Sequence, residues 1–282
     1  ATGSSTGIGA IAHRAEHLGG QHHIFPANAE ILQGLADDAL TGAETIDVGG
    51  IDKVDPRLQG DLHEFVGLFL LQLADRHEII KAVVGWIDLA GDVVEQLSHI
   101  SHPALRGVRP MLQDIEETDW ILRDEVVEGL GRIANAGLRL DALITSRHLD
   151  TIDELARRLP NLPIAIDHCA KPVFDGSDPG RSWREGMTQL AVRPNVFCKL
   201  SGLANEYGQG WSAETLRPAF EHVVKAFGPD RLMWGSDWPV LELAGDYRNW
   251  FETAGKLADT LSQSGRSSLF HGTAVRFYGI EM

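Results

Sequence analysis

The feature that most constrains this chain begins at residue 79, where short apolar runs rich in β-formers alternate with longer stretches of helical period. The strand candidates are IIKAVVGW (79 to 86), ALRGVR (104 to 109), LRLDALI (138 to 144), LPIAID (162 to 167), NVFCKL (195 to 200) and RLMWG (231 to 235). Between them RDEVVEGLGRIANAG (123 to 137), HLDTIDELARRL (148 to 159) and SAETLRPAFEHVVKAF (212 to 227) read as helices. Asp150 and Ser212 are candidate caps for two of these helices, and Gly137 and Gly228 are candidate stops. Such alternation is the sequence form of repeated βα units around a parallel sheet. With no low-complexity linker in 282 residues, the units suit a (β/α)8 TIM barrel, one domain over residues 1 to 282, better than a two-domain enzyme.

Residues 1 to 65 differ in character. They hold five of the 12 His and 10 of the 30 Gly, none of the seven Trp and three of the 25 Lys plus Arg. Their strand signals are weak, IGAIAH (8 to 13) and the stretch 44 to 54, yet an eight-stranded barrel must draw its two missing strands from them. The barrel is therefore expected to be distorted or incomplete at strands 1 and 2.

Charge and cysteine content narrow the function. Forty Asp plus Glu against 25 Lys plus Arg leave a net charge of −15, which repels a phosphate backbone and an anionic membrane surface. No nucleic-acid or membrane partner is expected. Cys169 and Cys198 form no CxxC, so a reducing compartment, the cytoplasm, is the simpler reading. The chain has no run of about 18 apolar residues.

In a βα barrel the active site lies at the strands' C-terminal ends, so polar residues directly after apolar runs are the functional candidates. RLMWG leads into Ser236, Asp237, Trp238 and Pro239, which places Asp237 at the mouth, either as a catalytic carboxylate or as a turn or cap residue. IAID leads into His168, with Lys171 and Pro172 following; this His reads as a metal ligand, an acid/base or a satisfied structural residue. Alternation turns Asp167 from the face His168 uses and gives it a supporting role. LRGV leads into Arg109, a clamp for a carboxylate or oxyanion, with Gln113 shortly after. Arg106, two residues earlier, suits a salt bridge at the barrel's bottom. Trp86 could wall a sugar pocket, Asp88 could cap the next helix, and Lys199 and Ser201 share one strand face; Lys199 could touch substrate or be ion-paired. Trp238 and Gln113 join Trp86 and Lys199 as substrate-binding candidates. A carboxylate, an imidazole and a guanidinium at one face suit attack of activated water on a carbonyl, and the absence of GxSxG disfavours a serine hydrolase.

In this order the strings LLQLADRH (70 to 77), VVGWIDL (83 to 89), LRGVRPMLQD (105 to 114), IDHCAKP (166 to 172), CKLSGL (198 to 203), FGPDRLMWGSDWP (227 to 239) and FHGTAVRFYGI (270 to 280) resemble the amidohydrolase-2 family. The resemblance is to its sugar-lactonase branch, which includes L-fuconolactonases and L-rhamnonolactonases, with pyrone lactonases as relatives. It implies a distorted TIM barrel opening an aldono-1,4-lactone to the aldonic acid, with Asp237 activating water, His168 in the site and Arg109 on the substrate or carbonyl. A metal-dependent decarboxylase or hydratase of the same superfamily, or an impaired barrel that only binds a sugar acid, is the alternative. The family also implies one divalent metal, zinc, for which His168 and Asp237 are the candidate ligands; a small-molecule lactone is the expected partner, and a homo-oligomer is compatible with the sequence.

The family's opening pattern breaks in residues 1 to 69. Relatives carry HxH on the first strand, whereas here His22 and His23 are adjacent, Asp61 and His63 lie just ahead of LLQLADRH, and His13 and His17 suit a helix face. All five His read as surface or structural, which leaves the metal without its first-strand ligands. Residues 55 to 69 fill the place of a second strand with the wrong pattern, as a shifted reading frame or a fused sequence would. TGSSTGIG (2 to 9) looks like a dinucleotide loop, but no strand precedes it and no Tyr-x-x-x-Lys occurs, so no NAD is expected.

Overall fold

The computed structural model describes residues 68 to 281, all within one compact unit, Gly60–Met282. The expectations for strands 1 and 2, the five early His, the dinucleotide-like loop and most of the segment 55 to 69 lie outside the described residues. After a helix over 68 to 76 come six strands: β1 (Val83–Gly85), β2 (Leu105–Val108), β3 (Arg139–Ala142), β4 (Ile164–Ile166), β5 (Val196–Leu200) and β6 (Leu232–Trp234). All six expected strands are present, and they form one parallel sheet in chain order, each hydrogen-bonded to the next. This is the consecutive βα order of a distorted TIM barrel. The strands are shorter than the apolar runs; Ile79, for example, is exposed and precedes the ladder.

Strand alternation sorts the side chains onto two faces. Leu140, Ile164, Ile166, Val196, Cys198 and Leu200 pack outward into the main core under the helices. Ala165 and Met233 face the other way, where a second, smaller cluster is completed by Phe277 and Tyr278 of the last helix, Thr273–Tyr278. The inner face of the sheet is thus filled from below by the C-terminal helix.

The three expected helices form over Asp124–Asn135, Leu149–Arg158 and Ala213–Phe227. Ser212 caps the last of these: its hydroxyl accepts from the Thr215 N–H while Thr215 Oγ1 accepts from the Ser212 N–H, satisfying two donors that the first turn leaves orphaned. Gly137 and Gly228 follow helix ends with φ of 73° and 72°, as stops should.

Three local expectations are corrected. Asp150 lies inside the first turn of its helix and His148 takes the cap position, because the chain already turns through a short helix, Ser146–His148, started at Thr145. Asp88 accepts from the Ala90 N–H in its own turn, and Asp92 caps Val93–His99 instead. Arg106 donates to the carbonyls of Pro103 and Leu105 in place of a salt bridge, since no carboxylate among the described residues pairs with it.

Candidate active site

The chain leaves β4 through a left-handed turn. His168, Cys169, Ala170 and Lys171 have φ of 51°, 51°, 56° and 49°, a conformation that costs non-glycine residues about 1 kcal/mol or more each. Neighbouring contacts hold it. Trp183 Nε1 donates to the Cys169 carbonyl at 2.7 Å, the Cys169 thiol lies 3.3 Å from the Lys199 carbonyl, and the Lys171 N–H returns to the His168 carbonyl at 2.9 Å. Gly202, at φ 68°, leaves the room that the imidazole occupies: a Cβ there would stand 2.7 Å from His168 Cβ and Cγ. Backbone strain of this kind gathers at functional sites.

The turn presents His168 toward the end of β6. Its Nδ1 lies 2.9 Å from Ser201 Oγ and its Nε2 lies 3.5 Å from Asp237 Oδ1. Asn205, in the short helix Leu203–Tyr207, donates from Nδ2 to Asp237 Oδ2 at 3.1 Å. Asp237 is itself left-handed, φ 59°. Burial pushes its pKa up, against the Asn205 hydrogen bond and the nearby Lys171 and Arg109 charges. Burial also lowers the His168 pKa to about 4, with the Asp167 carboxylate opposing and Arg109 reinforcing, so the ring is neutral near pH 7.

Arg109 reaches the same place from the end of β2. Its Nε donates to Asp167 Oδ2 at 2.7 Å, and no described residue accepts from its Nη atoms. Its side chain is 33% exposed while that of Asp167 is 3% exposed, so the fork faces the mouth and the carboxylate lies behind it. Burial alone would raise the Asp167 pKa, but Lys199 and Arg109 overcome it and hold the group at about 2. Asp237, His168 and Arg109 are therefore brought together, but Asp167 is not turned away from them as alternation suggests: it shares the inner face with Arg109 and Lys199, because the left-handed turn at His168 breaks the alternation and brings the imidazole round to the same side.

The substrate-binding candidates divide. Lys199 is ion-paired: its ammonium lies 2.7 Å from Asp167 Oδ1 and 2.5 Å from Asp141 Oδ2. Two buried carboxylates claim it, and that geometry is the ion-paired alternative rather than a free substrate contact. Gln113 sits in the turn Leu112–Asp114, its N–H donating to the Leu143 carbonyl and its side-chain oxygen buried without a described partner. Trp86 follows β1 and is half-buried, and Trp238 is 40% exposed beside Asp237.

Sequence reading missed Asn205, Asp141 and Tyr278. An Asp inside the run LRLDALI was a readable sign of an inward-facing group, since a buried charge needs partners. Asn205 and Tyr278 carry no strand-end signal.

For a divalent metal, His168 Nε2 and Asp237 Oδ1 are the available donors, and no cluster of three or more His, Cys, Asp or Glu able to hold an ion occurs among the described residues. A catalytic zinc takes three protein ligands, so these residues by themselves do not fit one.

The described residues also contain no helix long and apolar enough to cross a membrane. The model of the family described as amidohydrolase matches residues 26 to 280, reaching into the atypical N-terminal segment. Over 220 residues the chain is 41% identical to an L-fucono-1,5-lactonase of Burkholderia ambifaria, covering 76% of this chain and 75% of that one. It is 24% identical to an L-rhamnono-gamma-lactonase of Scheffersomyces stipitis, over 62% of this chain and 59% of that one. A crystal structure of an amidohydrolase from Burkholderia multivorans with bound zinc superposes with a TM-score of 0.71 at 33% identity, over 76% of this chain and 78% of that one.

Proposed function

The chain belongs to the amidohydrolase family, and from that premise we propose that it is a lactonase that opens a sugar lactone to its aldonic acid with water activated by Asp237. The observation that carries the reading is the convergence of the Asp237 carboxylate, held by Asn205 and facing His168 Nε2, with the outward fork of Arg109. The names of the relatives, a fuconolactonase and a rhamnonolactonase, support the substrate class.

The chemistry follows from the positions. Asp237 takes a proton from water as the water oxygen bonds to the lactone carbonyl carbon. Negative charge then builds on the carbonyl oxygen, where the Arg109 fork supplies donors fixed in advance by Asp167. Collapse breaks the bond from the carbonyl carbon to the ring oxygen, and the proton held on Asp237 passes to that oxygen as it leaves. Lactone and water become hydroxy acid. Neutral His168 orients the base, with Nε2 toward Asp237 and Nδ1 against Ser201. Trp86, Trp238 and Gln113 are the side chains we assign to the sugar.

Acid release from aldonolactones of both ring sizes, L-fucono-1,5-lactone and L-rhamnono-1,4-lactone first, tests the reading beside Asp237→Asn. Release by the parent that Asp237→Asn loses is expected; no release from any lactone by folded parent, or equal release by both, sinks it. A chelator arm reads metal dependence, since the Burkholderia multivorans structure carries zinc. Loss of carbon dioxide from an aromatic acid in place of lactone opening would favour the decarboxylase alternative.

A further inference from the structure

Behind the mouth, a continuous polar chain crosses the inner face of the sheet. Arg109 Nε meets Asp167 Oδ2 at 2.7 Å; Asp167 Oδ1 meets Lys199 Nζ at 2.7 Å; Lys199 Nζ meets Asp141 Oδ2 at 2.5 Å. The Tyr278 hydroxyl closes the chain, donating to Asp141 Oδ2 at 2.8 Å and lying 3.0 Å from Oδ1. Two cations balance two carboxylates. The ammonium also stands 5.8 Å from the centre of the Tyr278 ring. The two carboxylates and the phenol lie in the interior, Asp141 1%, Asp167 2% and Tyr278 9% exposed, while the Lys199 side chain keeps 21% exposure.

We propose that Tyr278, on the C-terminal helix, is a positioning residue for the Arg109 guanidinium, acting through Asp141, Lys199 and Asp167. The physical reason is competition for one ammonium. Lys199 divides its charge between Asp141 and Asp167, and a buried carboxylate deprived of a donor must recover it from what remains in reach. With the phenol present, Asp141 is satisfied by two donors and leaves Lys199 free to hold Asp167. Without it, Asp141 draws Lys199 toward β3, and Asp167 recovers its lost charge by pulling Arg109 inward from the mouth. Tyr278 touches no reacting atom in this arrangement. The packing of its ring is separate from its hydroxyl: the ring meets Phe277 edge-on at 4.8 Å, a contact that Phe at 278 keeps.

For its effect on turnover this inference rests on the lactonase reading; for its geometry it does not. Tyr278→Phe removes the hydroxyl alone, and Phe277→Leu removes the ring contact on Tyr278 while leaving the hydroxyl and its hydrogen bonds to Asp141. Tyr278→Phe is expected to lower kcat/KM on L-fucono-1,5-lactone about tenfold, and Phe277→Leu less than twofold at matched folding by circular dichroism. A double-mutant cycle separates positioning from general support. If Tyr278 acts through Arg109, then Tyr278→Phe added to Arg109→Ala costs nothing further. Additive losses, or an unchanged Tyr278→Phe, overturn the proposal. An arm independent of catalysis uses the Arg109 Nε–H resonance, assigned by its disappearance in Arg109→Lys: its exchange is expected at the parent's rate in Phe277→Leu and slower in Tyr278→Phe, where the guanidinium is drawn inward against Asp167. Equal protection in Tyr278→Phe overturns the proposal even if the parent opens no lactone, whereas failure of the lactonase reading leaves this arm intact.

Discussion

Asn205 Nδ2 lies 3.1 Å from Asp237 Oδ2 while His168 Nε2 faces the other oxygen at 3.5 Å, so each oxygen of the Asp237 carboxylate has its own neighbour. The carboxylate is thereby oriented without being neutralised: one partner is an amide and the other an imidazole that burial keeps uncharged near pH 7. A base held in this way retains its lone pairs for a water molecule.

Asp237→Asn preserves shape and the capacity to accept from Asn205 but cannot take a proton. A general base contributes on the order of 100-fold to 10,000-fold, and a fall in kcat/KM of that size is expected with little change in melting temperature. Steady-state rates beside thermal melts check it, and a variant within threefold of the parent would remove Asp237 from the base role.

The pH profile carries a second expectation. Burial raises the Asp237 pKa, and the Asn205 hydrogen bond lowers it. The active form is the carboxylate, so kcat/KM falls on the acid side through a pKa above the ordinary Asp value of about 3.9. Asn205→Ala removes a stabiliser of the charged form, and the acid limb moves to higher pH. A limb that stays in place, or moves down, contradicts the contact.

Gly202 gives a steric test. A Cβ there lies 2.7 Å from His168 and would force the ring or the left-handed turn to shift. Gly210 also has positive φ, 86°, but nothing within 4 Å of its Cβ position. Both Ala substitutions destabilise through backbone strain; Gly202→Ala alone is expected to lower turnover, by about tenfold or more. Equal turnover in the two variants would separate His168 placement from Gly202.

Away from the site, Asp153 on Leu149–Arg158 receives both Nε and Nη2 of Arg193, at 2.8 and 2.9 Å, together with Gln189 Nε2 at 3.0 Å. The Arg193 hydrogen bond leads in holding the Asp153 pKa below its ordinary value, against burial. A depressed folded pKa stabilises above the unfolded pKa, and the effect is lost as pH falls through the folded one. Asp153→Asn should therefore melt a few degrees lower than the parent at pH 7, with the gap closing below about pH 4. A gap independent of pH would assign the loss to packing instead.

What was legible in the sequence was whatever follows from local pattern. Six apolar runs became six parallel strands because alternation and crossover helices leave few other ways to bury them. Ser212 was readable as a cap because capping depends on neighbours within one turn, while Asp88 and Asp150 misled because a nearby turn intervened before their helices. Asp237, His168 and Arg109 were legible because strand ends in a βα barrel converge on one face. Lys199 could be read as substrate contact or ion pair, and the choice depended on Asp141 in β3 and Asp167 directly after β4, both distant in sequence. Asn205 and Tyr278 had no local mark at all. By itself the sequence determined the order of strands and helices and the strand ends from which a site could be built. Only the tertiary structure decided which polar groups share a carboxylate, because such partners are chosen by distance through the folded interior, where an unpaired charge is too costly to leave.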